Sequence, residues 1–209
     1  YNAVCYTLQI AEAAGDKKFI REWLEIPGKT KDAFRKFFVR EENGYLADYA
    51  GPDGVNCDLR PNQLIACSVP YTMLEKPEME GVLKSVKGSL LTPKGLRTLS
   101  PDNPNYCGVY GGSQPQRDRE YHNGTVWPWL LEHYALTGFR LYGKKFRKEA
   151  ETILNNFIPD MESYGIGSVA EVYNGDAPHA PNGSIAQAWS VGALLSIARE
   201  LKKYENENV

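Results

Sequence analysis

Residues 117–129 hold an unusual density of side chains that could bind or transform a polar ligand. The segment is RDREYHNGTVWPW, and it includes two arginines, two acidic residues, a tyrosine, a histidine and two tryptophans. Charged groups resist burial unless they are paired, while tryptophans supply large flat apolar faces. A ring-shaped ligand with hydroxyl edges and apolar faces matches this combination. The segment therefore predicts a surface that binds sugar.

Carboxyl groups in other irregular stretches could complete the chemistry of a sugar hydrolase. Cleaving an acetal needs one carboxyl group as acid and one carboxylate as base or nucleophile. For each loop carboxylate, a helix cap or an ion pair is the alternative role. The residue types alone do not choose among the candidates, which are Asp48, Asp58, Asp118, Glu120, Glu171 and Asp176. Arg60 and Asn62, just before a helix, could contact a ligand or form a solvated cap.

Other catalytic chemistries lack their motifs in this sequence. No serine lies in a GxSxG turn, and the glycines of 108–112 lack the lysine of a phosphate-binding loop. The three histidines, His122, His133 and His179, are too few and too widely spaced for a zinc site. Four cysteines without CxxC spacing favour free thiols in a reducing compartment. We therefore expect no metal, no cofactor and a cytoplasmic location.

The bulk composition predicts one globular domain over residues 1–209. A hydrophobic content of 42% and a charged content of 24% are ordinary values for a chain that can bury a core. The 24 basic and 26 acidic residues give a net charge of -2, which argues against a nucleic-acid partner. No apolar run approaches the length of a transmembrane helix, so no membrane partner is expected either.

Most of the chain shows the apolar spacing of amphipathic helices, so the predicted fold class is all-α with short strands in the loops. Helices are expected at Tyr1–Ala14, Lys17–Leu24, Thr30–Phe38, Lys76–Leu91, Thr125–Tyr142, Lys144–Ile158 and from Pro181 to about Tyr204. Turn residues around Tyr45–Tyr49 predict a hairpin or an extended loop, and residues 103–116 predict a long functional loop. The tail after Tyr204 should be solvated. The residues of the last helix expected to face inward are Ile185, Trp189, Leu194, Leu195 and Ala198.

Five motifs stand in order along the chain and together point to one family. They are LRPNQ (59–63), LLTPKGLRTLSP (90–101), YCGVY (106–110), RDREYHNGTVWPWLL (117–131) and AEVYNGDAPHAPNGSIAQAWSV (170–191). This series resembles the C-terminal amylo-α-1,6-glucosidase domain of glycogen debranching enzymes, across essentially the whole chain. The resemblance implies part of an (α/α)6 toroid, the six-hairpin glycosidase architecture, whose loops form a funnel for the end of an α-glucan.

The resemblance also implies an activity. The family hydrolyses α-1,6-linked branch stubs of glycogen or limit dextrin, releasing glucose by inversion with two carboxylates and no cofactor. Its general base corresponds to Glu171. Its general acid lies in a Trp-Met-Asp-like segment, which is absent here and expected upstream of Tyr1. We therefore expect the C-terminal part of a catalytic domain, inactive alone, whose open apolar faces could form a homodimer.

Substrate contacts follow from the same resemblance. Asp118 and Tyr121 would hold sugar hydroxyls or orient His122. The residues expected to line the glucose subsite are Arg60, His122, Trp127 and Trp129. Further expected contacts, all within the matching motifs, are Asn62, Gln63, Asp176, His179 and Gln187. Two alternatives stay open: another toroidal glycosidase acting on trehalose or a mannoside, and a non-catalytic glucan-binding module.

Overall fold

The structure, a computed structural model, describes residues 1–205 and consists mainly of α-helices. In chain order these are α1 (Asn2–Ala14), α2 (Lys17–Trp23), α3 (Ile26–Phe38), α4 (Gln63–Ser68), α5 (Lys76–Ser89), α6 (Gln114–Glu120), α7 (Leu130–Tyr142), α8 (Arg147–Asn155), α9 (Ile158–Ser163) and α10 (Ala188–Glu205). A 3-10 helix at Gly143–Phe146 joins α7 to α8. The solvated tail expected after Tyr204 falls mainly on 206–209, outside the described residues. None of the described helices is long and apolar enough to span a membrane.

Helix α7 lies at the centre of the hydrophobic core. Its apolar residues recur every three to four positions, which places Leu131, Tyr134 and Phe139 on buried faces. The helix packs against α4, α5 and α10. Gly138 lets the Phe146 ring approach closely, because an added Cβ would lie 2.4 Å from a ring carbon. This packing anchors the chain immediately after the 117–129 segment.

Two short hairpins lie between α3 and α4. In the first, β1 (Val39–Arg40) pairs with β2 (Tyr45–Leu46); in the second, β3 (Tyr49–Gly51) pairs with β4 (Gly54–Asn56). Both strand pairs are antiparallel, and both turns contain a glycine with positive φ, at 44 and 54. The hairpin expected around Tyr45–Tyr49 is confirmed as two hairpins in succession.

A five-stranded antiparallel sheet connects the segments that carry the candidate site. Its strands are, in sheet order, β5 (Leu91–Thr92), β6 (Gly95–Arg97), β7 (Val126–Trp127), β8 (Val172–Tyr173) and β9 (Pro181–Asn182). Leu96 lies opposite Trp127, and Val126 lies opposite Tyr173. The 117–129 segment and the strand that follows Glu171 are therefore joined by backbone pairing.

The predicted start of α7 at Thr125 is wrong, because the two residues after Thr125 pair with neighbouring strands instead of forming a helical turn. Val126 and Trp127 belong to β7, and the helix begins only at Leu130. The Thr125 hydroxyl donates a hydrogen bond to the Glu120 carbonyl, at 2.9 Å, instead of capping the helix. Two apolar residues in a row fit a helix as well as a strand, so local spacing does not distinguish a helix from a strand here.

The predicted start of α10 at Pro181 is wrong for the same reason, since Pro181 lies in β9 and the helix begins at Ala188. Three side chains expected to face inward are instead exposed: Ile185 by 57%, Trp189 by 48% and Leu195 by 65%. The buried stripe of the helix has the expected helical spacing but a different phase. It consists of Ser190, Ala193, Leu194, Ile197 and Leu201.

The remaining expected helices, except one, are confirmed with shifted ends. The first three and α5 match their predicted ranges, although α3 begins earlier, with Pro27 in its first turn. The single helix expected over Lys144–Ile158 is wrong: the 3-10 helix is followed by α8, which ends at Asn155, and Ile158 begins α9. Helix α6 begins inside the expected 103–116 loop, where Ser113 and Gln116 form a capping box.

Exposed apolar side chains gather on the first three helices, where α1 packs against α2 and α3. They are Tyr6, Ile10, Trp23 and Phe37, together with Leu24 directly after α2. Exposed apolar groups of this kind can mark an interaction surface. Pairing of two copies through this surface stays a prediction.

Gly95 offers a test of how the sheet supports the site. Its φ is +145°, and an added Cβ would lie 2.5 Å from the Trp127 carbonyl oxygen. We expect Gly95→Ala to lower the free energy of unfolding by about 2–4 kcal/mol, because backbone strain and overpacking add. Urea denaturation measures this change. Gly88→Ala is the matched control, since a Cβ there meets nothing within 4 Å in a helix; equal stability of the two variants would contradict the expectation.

Candidate active site

Glu171, immediately before β8, has its carboxylate held by donors from two distant segments. The Tyr121 hydroxyl donates to Oε1 at 2.5 Å, and the Ser184 backbone N–H donates to Oε2 at 2.9 Å. The Glu171 N–H in turn donates to the Ser184 carbonyl at 2.9 Å. The side chains of Ser184 and Gln187 lie near the carboxylate and favour its charged form. These contacts hold the carboxylate in one position.

These contacts determine the protonation state of Glu171. Partial burial raises the pKa of this carboxyl group, but the hydrogen bonds from Tyr121, Ser184 and Gln187 lower it by more. The net result is a pKa below the ordinary value of a glutamate. Glu171 is consequently ionised at neutral pH, which suits a proton acceptor and does not suit a proton donor.

The glycine at position 183 leaves space for the Glu171 carboxylate. Gly183, between β9 and α10, has a φ of +69°, and an added Cβ would lie 2.5 Å from Glu171 Oε2. On the other side, Tyr121 follows the last residue of α6, and the Trp127 indole Nε1–H donates to its carbonyl at 3.1 Å. The Tyr121 and Trp127 rings meet edge to face, with centroids 4.6 Å apart.

A cleft of about 500 Å³ lies beside this cluster and is walled by aromatic side chains. The Trp129 and Trp189 rings stack with centroids 5.5 Å apart, and the edge of Trp127 meets Trp189 at the same separation. The lining residues are Asp48, Tyr49, Asn56, Asp58, Arg60, Pro61, Asn62, Thr98, His122, Trp127, Trp129, Leu130 and Trp189. Flat apolar faces together with carboxylate, amide and hydroxyl groups are suited to a sugar ring.

Trp127 connects the cleft to the carboxylate. It lines the cleft, and its ring also packs on Tyr121, whose hydroxyl holds Glu171. Gln187 lies near Glu171, and Trp189, two residues later, belongs to the cleft wall. The Glu171 carboxylate is therefore linked to the aromatic wall through Tyr121 and Trp127, although it is not itself among the lining residues.

Arg60 fastens the floor of the cleft. Its Nη1 donates to the carbonyls of Thr98, at 3.1 Å, and His122, at 2.5 Å, while its Nη2 donates to Asn123 Oδ1 at 3.0 Å. Its Nε lies 3.5 Å from Asp48, whose other oxygen accepts from Asn62 Nδ2 at 2.9 Å. The guanidinium thus ties the second hairpin to the 117–129 segment.

The structure brings together eight of the twelve residues expected in the site. Around the carboxylate these are Glu171, Tyr121 and Gln187, and around the cleft they are Arg60, Asn62, His122, Trp127 and Trp129.

The other four are not themselves among the cleft-lining residues found within residues 1–205. Gln63 is buried between the Leu46 N–H and the Arg60 carbonyl, and Asp118 is exposed on α6 beside Gln114. Asp176 accepts from the Tyr106 hydroxyl at 2.9 Å, and His179 Nδ1 lies 2.9 Å from the Asn174 carbonyl oxygen. Sugar contacts for these four stay predictions.

Several residues of the site were not singled out from the sequence. Asp48 and Asp58 were two of six loop carboxylates with no feature that separated them. Trp189 was assigned to the core because it falls at helical spacing from apolar neighbours. Ser184 contributes mainly its backbone N–H, a group that sequence does not distinguish. The turn residues around Tyr45–Tyr49 predict a hairpin or an extended loop, but not its position beside the cleft.

Arg60 gives a test of the cleft floor. We expect Arg60→Lys to lower the free energy of unfolding by about 1–3 kcal/mol, because an ammonium cannot reproduce the forked contacts to two carbonyls and an amide. Urea denaturation measures the loss, and Arg21→Lys on the exposed face of α2 is the control. Unchanged stability of Arg60→Lys would show that the guanidinium does not fasten the floor.

Comparisons with known proteins concern the family and the fold of this chain. The glycogen debranching enzyme of Saccharomyces cerevisiae is 24% identical over 229 aligned positions, covering 90% of this chain and 15% of that enzyme. The chain thus spans about a seventh of the length of this relative. Among solved structures, the neutral trehalase Nth1 from Saccharomyces cerevisiae matches with a TM-score of 0.62 and 15% identity, covering 85% of this chain and 30% of that chain.

The likeness to the trehalase concerns the fold alone. That enzyme is an (α/α)6 toroid glycosidase, so the fold class expected from the sequence, a helical part of such a toroid with short strands, is confirmed. Residues 1–196 match the protein family described as amylo-alpha-1,6-glucosidase. Since this match spans nearly the whole chain, the chain belongs to the amylo-alpha-1,6-glucosidase family.

Proposed function

We propose that this chain supplies the general base and part of the sugar-binding cleft of a glycoside hydrolase. Its substrates are the α-1,6-linked glucose stubs of glycogen and limit dextrin, and glucose leaves with inversion. The observation that carries the proposal is the ionised Glu171, held by hydrogen bonds beside a cleft walled by tryptophans. Membership of the amylo-alpha-1,6-glucosidase family supports the choice of linkage.

In the proposed reaction, Glu171 accepts a proton from water as the water oxygen attacks the anomeric carbon. A carboxylic acid on the opposite side protonates the departing oxygen 6, and the bond from the anomeric carbon to that oxygen breaks. Inverting enzymes place the two carboxyl groups about 6.5–9.5 Å apart, which leaves room for the water. The products are glucose and a shortened glucan, and the reaction consumes one water molecule.

We propose that the general acid lies outside residues 1–209, so that the chain is the C-terminal part of a larger catalytic domain. Three contacts support this choice. Asp48 on the cleft is paired with Arg60 and bonded by Asn62, and Asp58 accepts from Asn103 Nδ2 at 2.7 Å. Both carboxyl groups are therefore used as acceptors. Since general acid catalysis contributes about 10²–10⁴-fold, we expect little turnover from the chain alone.

In the proposed binding mode, the stacked rings of Trp129 and Trp189 pack on a sugar face, and the hairpin side of the cleft bonds the hydroxyls. A glucan is the expected partner, and the four free cysteines support work in a reducing compartment such as the cytoplasm. Two alternatives remain as outcomes of the tests: a glucan-binding module without catalysis, and a toroidal glycosidase for trehalose or a mannoside.

Replacing the base tests the catalytic role. In the whole enzyme that carries this chain, we expect Glu171→Gln to lower glucose release from branched limit dextrin by about 10²–10⁴-fold, because the amide cannot accept the proton. Glu162→Gln on the exposed side of α9 is the matched control.

Proton NMR of the released sugar follows both the rate and the anomer, and β-glucose should form first. Retained turnover in Glu171→Gln, or α-glucose as the first product, would contradict the proposed role. Faster cleavage of trehalose or a mannoside than of dextrin would favour another glycosidase.

Removing one ring of the cleft wall tests sugar binding separately. We expect Trp189→Ala to weaken glucan binding about tenfold, equivalent to about 1.4 kcal/mol, because a sugar face loses its stacking surface. Affinity electrophoresis in glycogen measures the change without requiring turnover. Trp23→Ala, which removes an exposed indole on α2, should migrate like the parent chain. Equal retardation of the parent and Trp189→Ala would contradict the assignment.

A further inference from the structure

We propose that Tyr121 is a positioning residue that aims the Glu171 carboxylate, rather than a side chain that bonds the sugar. Its kinetic consequence rests on the proposed function, in which Glu171 accepts a proton from water. The evidence is the geometry of the Tyr121 hydroxyl and of the groups that hold its ring.

The Tyr121 ring is enclosed by three other rings. Its centroid lies 4.6 Å from that of Trp127, 5.2 Å from that of His122 and 5.5 Å from that of Tyr110. The Trp127 indole also bonds the Tyr121 carbonyl, at 3.1 Å. The phenol therefore has little freedom to turn, and its oxygen stays 2.5 Å from Glu171 Oε1.

The two oxygens of Glu171 have different donors. Tyr121 serves Oε1, and the Ser184 N–H serves Oε2 at 2.9 Å. Donors on both oxygens fix the plane of a carboxylate, whereas one donor leaves it free to rotate about χ3. An ionised carboxylate has about four acceptor sites, and the bonds from the Tyr121 hydroxyl and the Ser184 N–H use two of them, so oxygen lone pairs remain for a water molecule. Tyr121 thus sets the direction from which that water is deprotonated.

The titratable groups around this pair support the direction of the hydrogen bond. Burial, together with the bond and the negative charge of Glu171, raises the pKa of the Tyr121 phenol, so it stays protonated and donates. Glu120, the nearest acidic neighbour along the chain, is bonded by the Gly111 N–H at 2.9 Å. Tyr110 and His122 face the ring of Tyr121.

Removing the Tyr121 hydroxyl should raise the pKa of the Glu171 carboxyl group. Burial raises the pKa of this carboxyl group, and the hydrogen bonds from Tyr121, Ser184 and Gln187 lower it. With the Tyr121 donor gone, the opposing burial remains, so the pKa rises. The acid limb of the pH profile therefore moves to higher pH.

The test compares Tyr121→Phe with Tyr110→Phe, each of which removes one phenol hydroxyl from the same ring cluster. In the full chain, carbon-13 NMR of labelled glutamate side chains, with Glu171→Gln to identify the resonance, follows the titration of Glu171. We expect the pKa of Glu171 to rise in Tyr121→Phe and to stay at the parent value in Tyr110→Phe. An unchanged titration in Tyr121→Phe would overturn the proposal whether or not the protein hydrolyses dextrin.

A kinetic arm separates positioning from sugar binding. In the whole enzyme, Tyr121→Phe should lower kcat by about 10- to 100-fold with little change in KM, since a misdirected carboxylate slows the chemical step. A raised KM with unchanged kcat would assign Tyr121 to the sugar and overturn the proposal. If the parent enzyme cleaves no glucan at all, the proposed function fails, and the NMR titration still decides the role of Tyr121.

A reciprocal measurement covers the case in which Tyr121→Phe does not fold. Glu171→Gln removes the charge and weakens the acceptor that raise the pKa of the Tyr121 phenol. Ultraviolet titration should then show that phenol ionising at lower pH than in the parent chain. An unchanged tyrosine titration would contradict the contact between the two side chains.

Discussion

A carboxylate that is partly withdrawn from water stays charged only while other donors replace its lost hydration. This constraint governs the whole site. Glu171 obtains its donors from the end of α6 and from the connection between β9 and α10, which are far apart in the chain. Each donor segment must therefore be immobilised by contacts of its own. The helices, the sheet and the aromatic cluster can be understood as the means of holding those segments still.

The five-stranded sheet holds these donor segments in place although its strands are very short. Two or three residues per strand give few backbone hydrogen bonds, so the pairing gains its stability from the core beneath it. Leu96, Val126, Val172 and Tyr173 are fully buried there, next to the packed face of α7. Because neighbouring strands are antiparallel, the segment before one strand lies beside the segment after its neighbour, as Glu171 does beside the residues that follow Trp127. The position of the carboxylate thus depends on burial of apolar side chains as much as on polar contacts.

The helical part of this fold could be predicted from the sequence because its signals are local. Apolar spacing and terminal glycines identified α1, α2, α5 and most of α7. The strands could not be predicted in the same way, since a pair such as Val126-Trp127 gains its partner from residues about fifty positions away. The inward position expected for Trp189 is wrong because the buried stripe of α10 runs through Ser190, Ala193 and Ile197 instead. Glu171 was found through the resemblance of its motif, whereas its donors depend on tertiary contacts and became visible only in the structure.

The position of Gly183 restricts which residues can occupy positions 183 and 171 together. The space that a β-carbon would need at position 183 is already filled by the carboxylate of Glu171. The two positions therefore share one volume, although they lie on different segments. A side chain at 183 would displace the Glu171 carboxylate, so a change at one of these positions alters what the other can hold. Substitution at either position alone moves the charge on which the proposed chemistry depends.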